Sequence, residues 1–143
     1  MQHEITASIM AHLQSTGYDV VWIYQGVKLP STLPVVTIEQ MQNNNAFISK
    51  GREAVETTYR HQVGLRARTE SEKTRIQSEL NRIFLFDKFD LLDTTKTPAP
   101  VVGSFYVKPV SIVPIMGDMV NDETGKHRVY FDIEVEQITR RFY

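Results

Sequence analysis

Residues 56–86, ETTYRHQVGLRARTESEKTRIQSELNRIFLF, contain two hydrophobic patterns in succession. In the first half, apolar and polar side chains alternate, which is typical of a half-buried strand; the predicted core-facing residues are Tyr59, His61, Val63, Leu65 and Ala67. In the second half, the apolar residues have the spacing of an amphipathic helix; they are Ile76, Leu80, Ile83 and Phe84. Between the two halves, Thr69 and Glu72 have the spacing of a capping box. The stretch therefore predicts a long strand that runs directly into a helix, and we expect the strand to offer a long exposed edge to another subunit.

The length and charge of the chain predict a single domain, residues 1–143, with a core of its own. The 16 basic and 17 acidic residues give a formal net charge of −1. A large surface for non-specific nucleic-acid binding needs a basic excess, so this balance argues against one.

Missing residue types exclude several classes of site. The chain has no cysteine, which excludes disulfides, thiolate catalysis and cysteine-ligated zinc. Residues 1–11 lack the basic and apolar regions of a secretory signal, and no apolar run approaches the roughly 18 residues needed to span a bilayer. We therefore expect a soluble protein with no membrane partner.

The first part of the chain predicts one helix followed by short strands. Residues 2–15 carry one apolar stripe and precede Gly17, so a surface helix is expected there. β-branched and aromatic residues predict strands at 19–24 and 35–41, joined by a proline-containing loop at 25–34. A polar turn is expected at 42–45, followed by a shorter strand at 46–50.

The last part predicts a loop and then a hairpin. Residues 87–100 are expected to form a packed loop or short helix followed by an extended linker, since prolines disfavour a helix before them. Residues 101–115 are strand-like, at an edge or a bend because of their prolines, and 126–138 alternate as a final strand. The chain is therefore predicted to be an α+β domain, with a mainly antiparallel sheet, two helices on one face and a long β-hairpin.

No catalytic or metal-binding pattern is found. The four histidines lack metal-ligand spacing, and His61, on the apolar side of the long strand, is expected to be a satisfied core or interface residue. The acidic residues of two loops lack the calcium-loop pattern and are expected to be solvated; they are Asp87, Asp90 and Asp93, and Asp118, Asp122 and Glu123. We predict no catalytic residue, no metal site and no cofactor, and hence no enzyme.

Opposite charges alternate along two of the predicted strands. Arg60, Arg66 and Arg68 share the polar side of the long strand, and a carboxylate face occurs on the final strand; its residues are Asp132, Glu134 and Glu136. The arginines could contact nucleic acid, pair with the carboxylates, or be solvated. Because the two charges are balanced, pairing within or between subunits is favoured, and the six residues are candidates for a subunit interface.

The order of these patterns resembles that of a known family. Residues 59–68, YRHQVGLRAR, lead into the helix at 69–84, and 107–115 form a hairpin with 127–139. With the N-terminal helix and the strand pair around a proline-containing loop, this layout resembles the tail terminator, or tail-completion, proteins of long-tailed bacteriophages. The similarity spans most of the chain and is one of pattern and order.

The resemblance implies a structural virion protein. Such a subunit forms a hexameric ring that caps the tail tube, terminates tube polymerisation and joins the tail to the head. The implied partners are other copies of the chain, the tail tube protein, a head-completion or connector protein, and DNA that passes through the lumen without sequence-specific binding. The implied location is the tail–head junction of the virion, after assembly in the host cytoplasm.

Two loops are candidates for docking these partners, because loops at strand ends can reach neighbouring molecules. They are 25–34 and 116–125, with the charged residues Lys28, Asp118, Asp122 and Glu123. The sequence leaves open other head–tail connector components, namely an adaptor, a stopper or a tube-like protein, and also a small hydrolase or a nucleic-acid binder.

Overall fold

The computed structural model describes residues 1–24, 26–28, 30, 32–48, 50–115 and 127–140. The helices are α1 (Gln2–Ser15) and α2 (Glu70–Phe86), and a short 3-10 turn covers Lys50–Arg52. The strands are β1 (Val20–Ile23), β2 (Val35–Gln40), β3 (Asn44–Phe47), β4 (Ala54–Ala67), β5 (Lys88–Leu92), β6 (Val101–Tyr106), β7 (Lys108–Ile115) and β8 (His127–Arg140).

The main sheet has the strand order β1-β2-β4-β8-β7, and β3 lies beside β2 along the same edge of β4. Strands β1 and β2 are parallel, and the other pairs are antiparallel. A separate two-stranded sheet pairs β5 with β6. The protein thus has the predicted α+β fold, with two helices, a mainly antiparallel sheet and a long hairpin of β7 and β8.

Both helices pack on the side of the main sheet that the long strand's alternation predicts. The stripe of α1, Ile5, Ile9 and Leu13, is fully buried, and so is that of α2; its residues are Ile76, Leu80 and Phe84. They meet the core-facing residues of the central strands, which include Val63, Leu65, Val129, Phe131 and Ile133. Burial of these apolar side chains offsets the conformational entropy that the chain loses when the two helices are ordered on the sheet.

Strand β4 lies in the middle of the sheet, and the expectation that it offers a long exposed edge is wrong. It pairs with β8 over its whole length of 14 residues, from Ala54–Arg140 to Ala67–His127. On its other side, β2 and β3 occupy most of its backbone. Alternation along a strand shows which side is buried, but it carries no information about which strands lie beside it.

The segment after α2 also differs from the prediction. Residues 88–92 form a strand, β5, where a loop or short helix was expected, and 101–115 divide into β6 and β7. Alternation with a period of two is present in β5, since Phe89 is buried between exposed Lys88 and Asp90, but five residues are too short for the pattern to stand out. Prolines do place β7 at an edge of the main sheet, as predicted.

Polar contacts attach α1 to β5. His12 Nε2 lies 2.9 Å from Asp87 Oδ2, and the His12 ring packs on Phe89 with the ring centroids 4.1 Å apart. The Ser8 hydroxyl accepts a 3.0 Å hydrogen bond from the backbone N–H of Leu92. These contacts explain why the three aspartates at 87, 90 and 93 do not converge: Asp87 binds the helix, whereas Asp93 accepts from Thr95.

Strand β3 begins earlier than predicted. The polar turn was expected at 42–45, but Asn44 and Asn45 already pair with Thr58 and Thr57. The asparagines are thus strand residues with exposed side chains, because the neighbouring strand β4 supplies backbone partners that outweigh their low intrinsic strand propensity.

The cap predicted at the start of α2 is formed, but the return hydrogen bond to Glu72 comes from the residue before the N-cap. Thr69 Oγ1 accepts a 3.1 Å hydrogen bond from the backbone N–H of Glu72. The Glu72 carboxylate reaches back and accepts from the backbone N–H of Arg68 at 2.9 Å. Two donors at the helix start are thereby satisfied, and the junction between β4 and α2 is fixed.

Replacing Thr69 with alanine should lower the free energy of unfolding by about 1 kcal/mol, because the N–H of Glu72 loses its acceptor. Urea denaturation measures this change. Thr74→Ala is the matched control, since the Thr74 hydroxyl only donates to a carbonyl of its own helix. Equal midpoints for the two variants would show that the cap contributes nothing.

Candidate assembly surface

The side of the main sheet opposite the helices carries the predicted interface residues. Side chains alternate along β4 and β8, so the even-numbered residues of both strands lie on this open face. Registered pairs across the two strands are Arg66 with Arg128, Gly64 with Tyr130, Gln62 with Asp132, Arg60 with Glu134, and Thr58 with Glu136. The open face is therefore basic near the start of β8 and acidic further along it.

One arginine of the long strand binds a carboxylate of the final strand. Arg60 Nε lies 3.1 Å from Glu134 Oε1, and the two side chains are 43% and 18% exposed. Lys108 of β7 is registered with the other side of Glu134. Such an exposed pair contributes roughly 0–1 kcal/mol, so its main effect is on register.

The other two arginines do not pair with the acidic residues within the subunit, contrary to one of the two expected arrangements. Arg66 lies opposite Arg128, a residue of like charge. Arg68 lies beyond the end of β4 and binds Glu72, with Nη2 3.0 Å from Oε2. The register of the two strands, which alternation in the sequence does not specify, decides the partner of Arg66, whereas Arg68 binds a residue four positions further along the chain.

The remaining carboxylates of the final strand have separate surroundings. Asp132 accepts a 2.8 Å hydrogen bond from the Ser111 hydroxyl of β7. Glu136 is exposed opposite Thr58. Both remain candidates for a contact with another subunit.

The predicted docking loops are only partly described. Lys28 is exposed in the connection between β1 and β2. Asp118, Asp122 and Glu123 lie outside the described residues.

Ionisable groups around the start of α2 have shifted pKa values. Hydrogen bonds from the Arg68 side chain and backbone lower the pKa of Glu72. Hydrogen bonds from Lys73 and then His127 lower the pKa of Glu70. Both carboxylates of this first helical turn are thus engaged with cations of their own chain.

The small sheet has a free strand edge that was not predicted from the sequence. Among the described strands, β6 pairs with β5 alone. Five of its six residues are exposed, and three of these are large and apolar: Val101 (57%), Val102 (60%) and Tyr106 (63%). The cluster VVGSFY contains neither proline nor lysine, which are the residues that usually protect an edge strand.

In the part of the chain that the structure describes, no group of three or more His, Asp or Glu side chains could hold a metal ion. Neither helix within the described ranges has the length and apolar composition needed to cross a bilayer.

Comparison of the chain with models of protein families and with curated proteins found no match.

Proposed function

We propose that the protein is a structural virion component that forms a hexameric ring, caps a phage tail tube, terminates tube polymerisation and joins the tail to the head. The resemblance in element order supports this proposal: an N-terminal helix, a strand pair, a long strand leading into a capped helix, and a C-terminal hairpin occur in that sequence. The ring would act at the tail–head junction, with the tail tube protein on one side and a head-completion protein on the other.

The observation that carries the proposal is the free edge of β6. An edge strand offers a row of unpaired N–H and C=O groups to another chain, and exposed apolar side chains add buried area to such a contact. A ring of identical subunits needs two different surfaces that meet repeatedly around an axis. The β6 edge is well suited to be one of them.

The edge of β7 is a poorer surface for strand addition. Pro109 and Pro114 lack the N–H groups that a partner strand would need, and a register shift occurs between Pro109 and Ser111. The edges of β6 and β7 thus differ in their ability to accept another strand. In a head-to-tail ring, the β6 edge of one subunit would therefore meet a surface of the next subunit other than its β7 edge.

The charges of the open face would then act in partner choice. Asp132, Glu134 and Glu136 carry negative charge towards one end of the face, and complementary charge on a neighbouring molecule would steer docking. DNA passing through the lumen would be held without sequence-specific contacts, in line with the near-neutral charge of the chain.

The oligomeric state tests the proposal. We expect purified protein, alone or after addition of tail tubes, to form six-membered rings in native mass spectrometry and negative-stain images, and to limit tube length. A strictly monomeric protein that leaves tube length unchanged would contradict it. Binding to the head vertex without any effect on tubes would instead indicate a head-side connector.

Two tyrosines provide a matched test of the β6 contact. Tyr106→Lys places a charge on the exposed edge strand and should weaken ring association at least about tenfold. Tyr24→Lys makes the same change at a residue of equal exposure, 64% against 63%, outside the β6 edge. If both variants assemble like the wild type, the β6 edge is not the subunit contact.

A further inference from the structure

Two arginines face each other on the open face, and no described residue provides a counter-ion for either of them. Arg66 of β4 and Arg128 of β8 are registered partners, so their side chains leave the same face side by side. Both residues are only partly exposed. Like charges at directly opposed positions destabilise a sheet, and partial burial increases the repulsion because less water screens it.

The residues around the pair exclude water from one guanidinium nitrogen and provide no hydrogen-bond acceptor in its place. Arg128 Nε is buried and has no hydrogen-bond partner. Val35 flanks Arg66 on one side, and Ile115 flanks Arg128 on the other. Tyr130 lies two residues from Arg128, and its ring lies over Gly64. Burying a guanidinium N–H without an acceptor costs free energy. A bound group that supplies an acceptor would offset this cost.

Nearby carboxylates of the described chain are engaged elsewhere or too distant. Glu72 binds Arg68, and Glu70 binds Lys73 and His127. Asp132, the nearest carboxylate along β8 on this face, is four residues from Arg128, or roughly 13 Å at the rise of a strand. Asp19 precedes β1 and is separated from Arg66 by β2. None of these groups neutralises the pair.

We propose that Arg66 and Arg128 form a binding site for an oxyanion. A guanidinium presents its N–H donors in a planar fork that matches two oxygens of a carboxylate or a phosphate. Two such forks on adjacent strands supply more donors than one small anion needs, and the apolar walls strengthen each charged hydrogen bond. The oxyanion is one that is free in solution, and inorganic phosphate serves as its probe.

Thermal unfolding in phosphate tests the site. At constant ionic strength adjusted with chloride, we expect phosphate at ten times its Kd to raise the Tm of the wild type by roughly 3–6 °C. Arg66→Gln and Arg128→Gln should each abolish this rise. Arg82→Gln, which removes an exposed arginine from α2, should retain it and serves as the control for general salt effects.

The thermal stability of the two variants in chloride alone, without phosphate, is a second test. Loss of either arginine removes the repulsion, so the Tm of Arg66→Gln and Arg128→Gln should equal or exceed that of the wild type. A Tm several degrees lower in both variants would show that the pair is already stabilising without an anion, and would overturn the proposal.

If phosphate leaves the Tm of the wild type unchanged, or raises it equally in Arg66→Gln and Arg128→Gln, the proposal is overturned.

Discussion

Replacing Phe84 with alanine should lower the free energy of unfolding by about 3–5 kcal/mol. Phe84 is 1% exposed and contacts Phe131 of β8 edge to face, with the ring centroids 5.5 Å apart. The substitution removes the contact that holds the last turn of α2 on the sheet. It also leaves a cavity between two layers that cannot close, because Leu80 and Ile76 fix the rest of the helix.

Phe86→Ala is the matched control. It makes the same substitution two residues further along the same helix, where the side chain is 73% exposed. Its unfolding free energy should stay within about 0.5 kcal/mol of the wild type. Urea denaturation of both variants measures the difference, and similar losses in the two would place Phe84 outside the core.

The long strand β4 and the helix α2 could be predicted from the sequence because the patterns that indicate them are local. The alternation in β4, the capping box at Thr69 and the helical spacing up to Phe84 each depend on residues a few positions apart. β5 and β6 were not identified together, because their pairing joins segments separated by the proline-containing residues 93–100. Each strand is short, and neither buries enough residues to show its period clearly.

The candidate site shows the same limit. The sequence predicted correctly that Arg60 and Glu134 lie on the polar side of their strands, and the structure joins them. It did not predict that Arg66 meets Arg128. A shift of two residues in register would keep every side chain on its face and change every partner, so alternation cannot supply the pairing.

A buried histidine shows a contact that depends on distant segments. His61 is 1% exposed, and its Nε2 lies 2.8 Å from Thr6 Oγ1, 55 residues away along the chain. The Thr6 hydroxyl donates its one hydrogen to the carbonyl of Gln2. It therefore accepts from Nε2–H of His61 and from the amide of Gln40. This tautomer leaves Nδ1 buried without a hydrogen-bond partner, so the prediction that the histidine is satisfied holds for only one nitrogen.

Burial without a nearby carboxylate lowers the pKa of His61 from 6.5 to about 4. The neutral ring is favoured in the folded state, whereas the unfolded chain takes up a proton near pH 6.5. Between these two pKa values the unfolded state binds more protons than the folded state. The stability that the neutral histidine preserves is therefore fully present above pH 6.5 and is lost as the pH falls towards 4.

We expect the free energy of unfolding of the wild type to fall by about 2 kcal/mol more than that of His61→Gln between pH 7 and pH 5. The comparison isolates the contribution of His61, because the two proteins differ only at this residue. Carboxylates with lowered pKa values, such as Glu70 and Glu72, change charge mainly below this pH range. Urea denaturation at the two pH values gives the difference, whatever the variant's stability at pH 7. His3→Gln, at an exposed position, should follow the wild type. Parallel pH profiles for the wild type and His61→Gln would mean that His61 takes up its proton while folded, which requires the ring to be open to water or to have an acceptor at Nδ1.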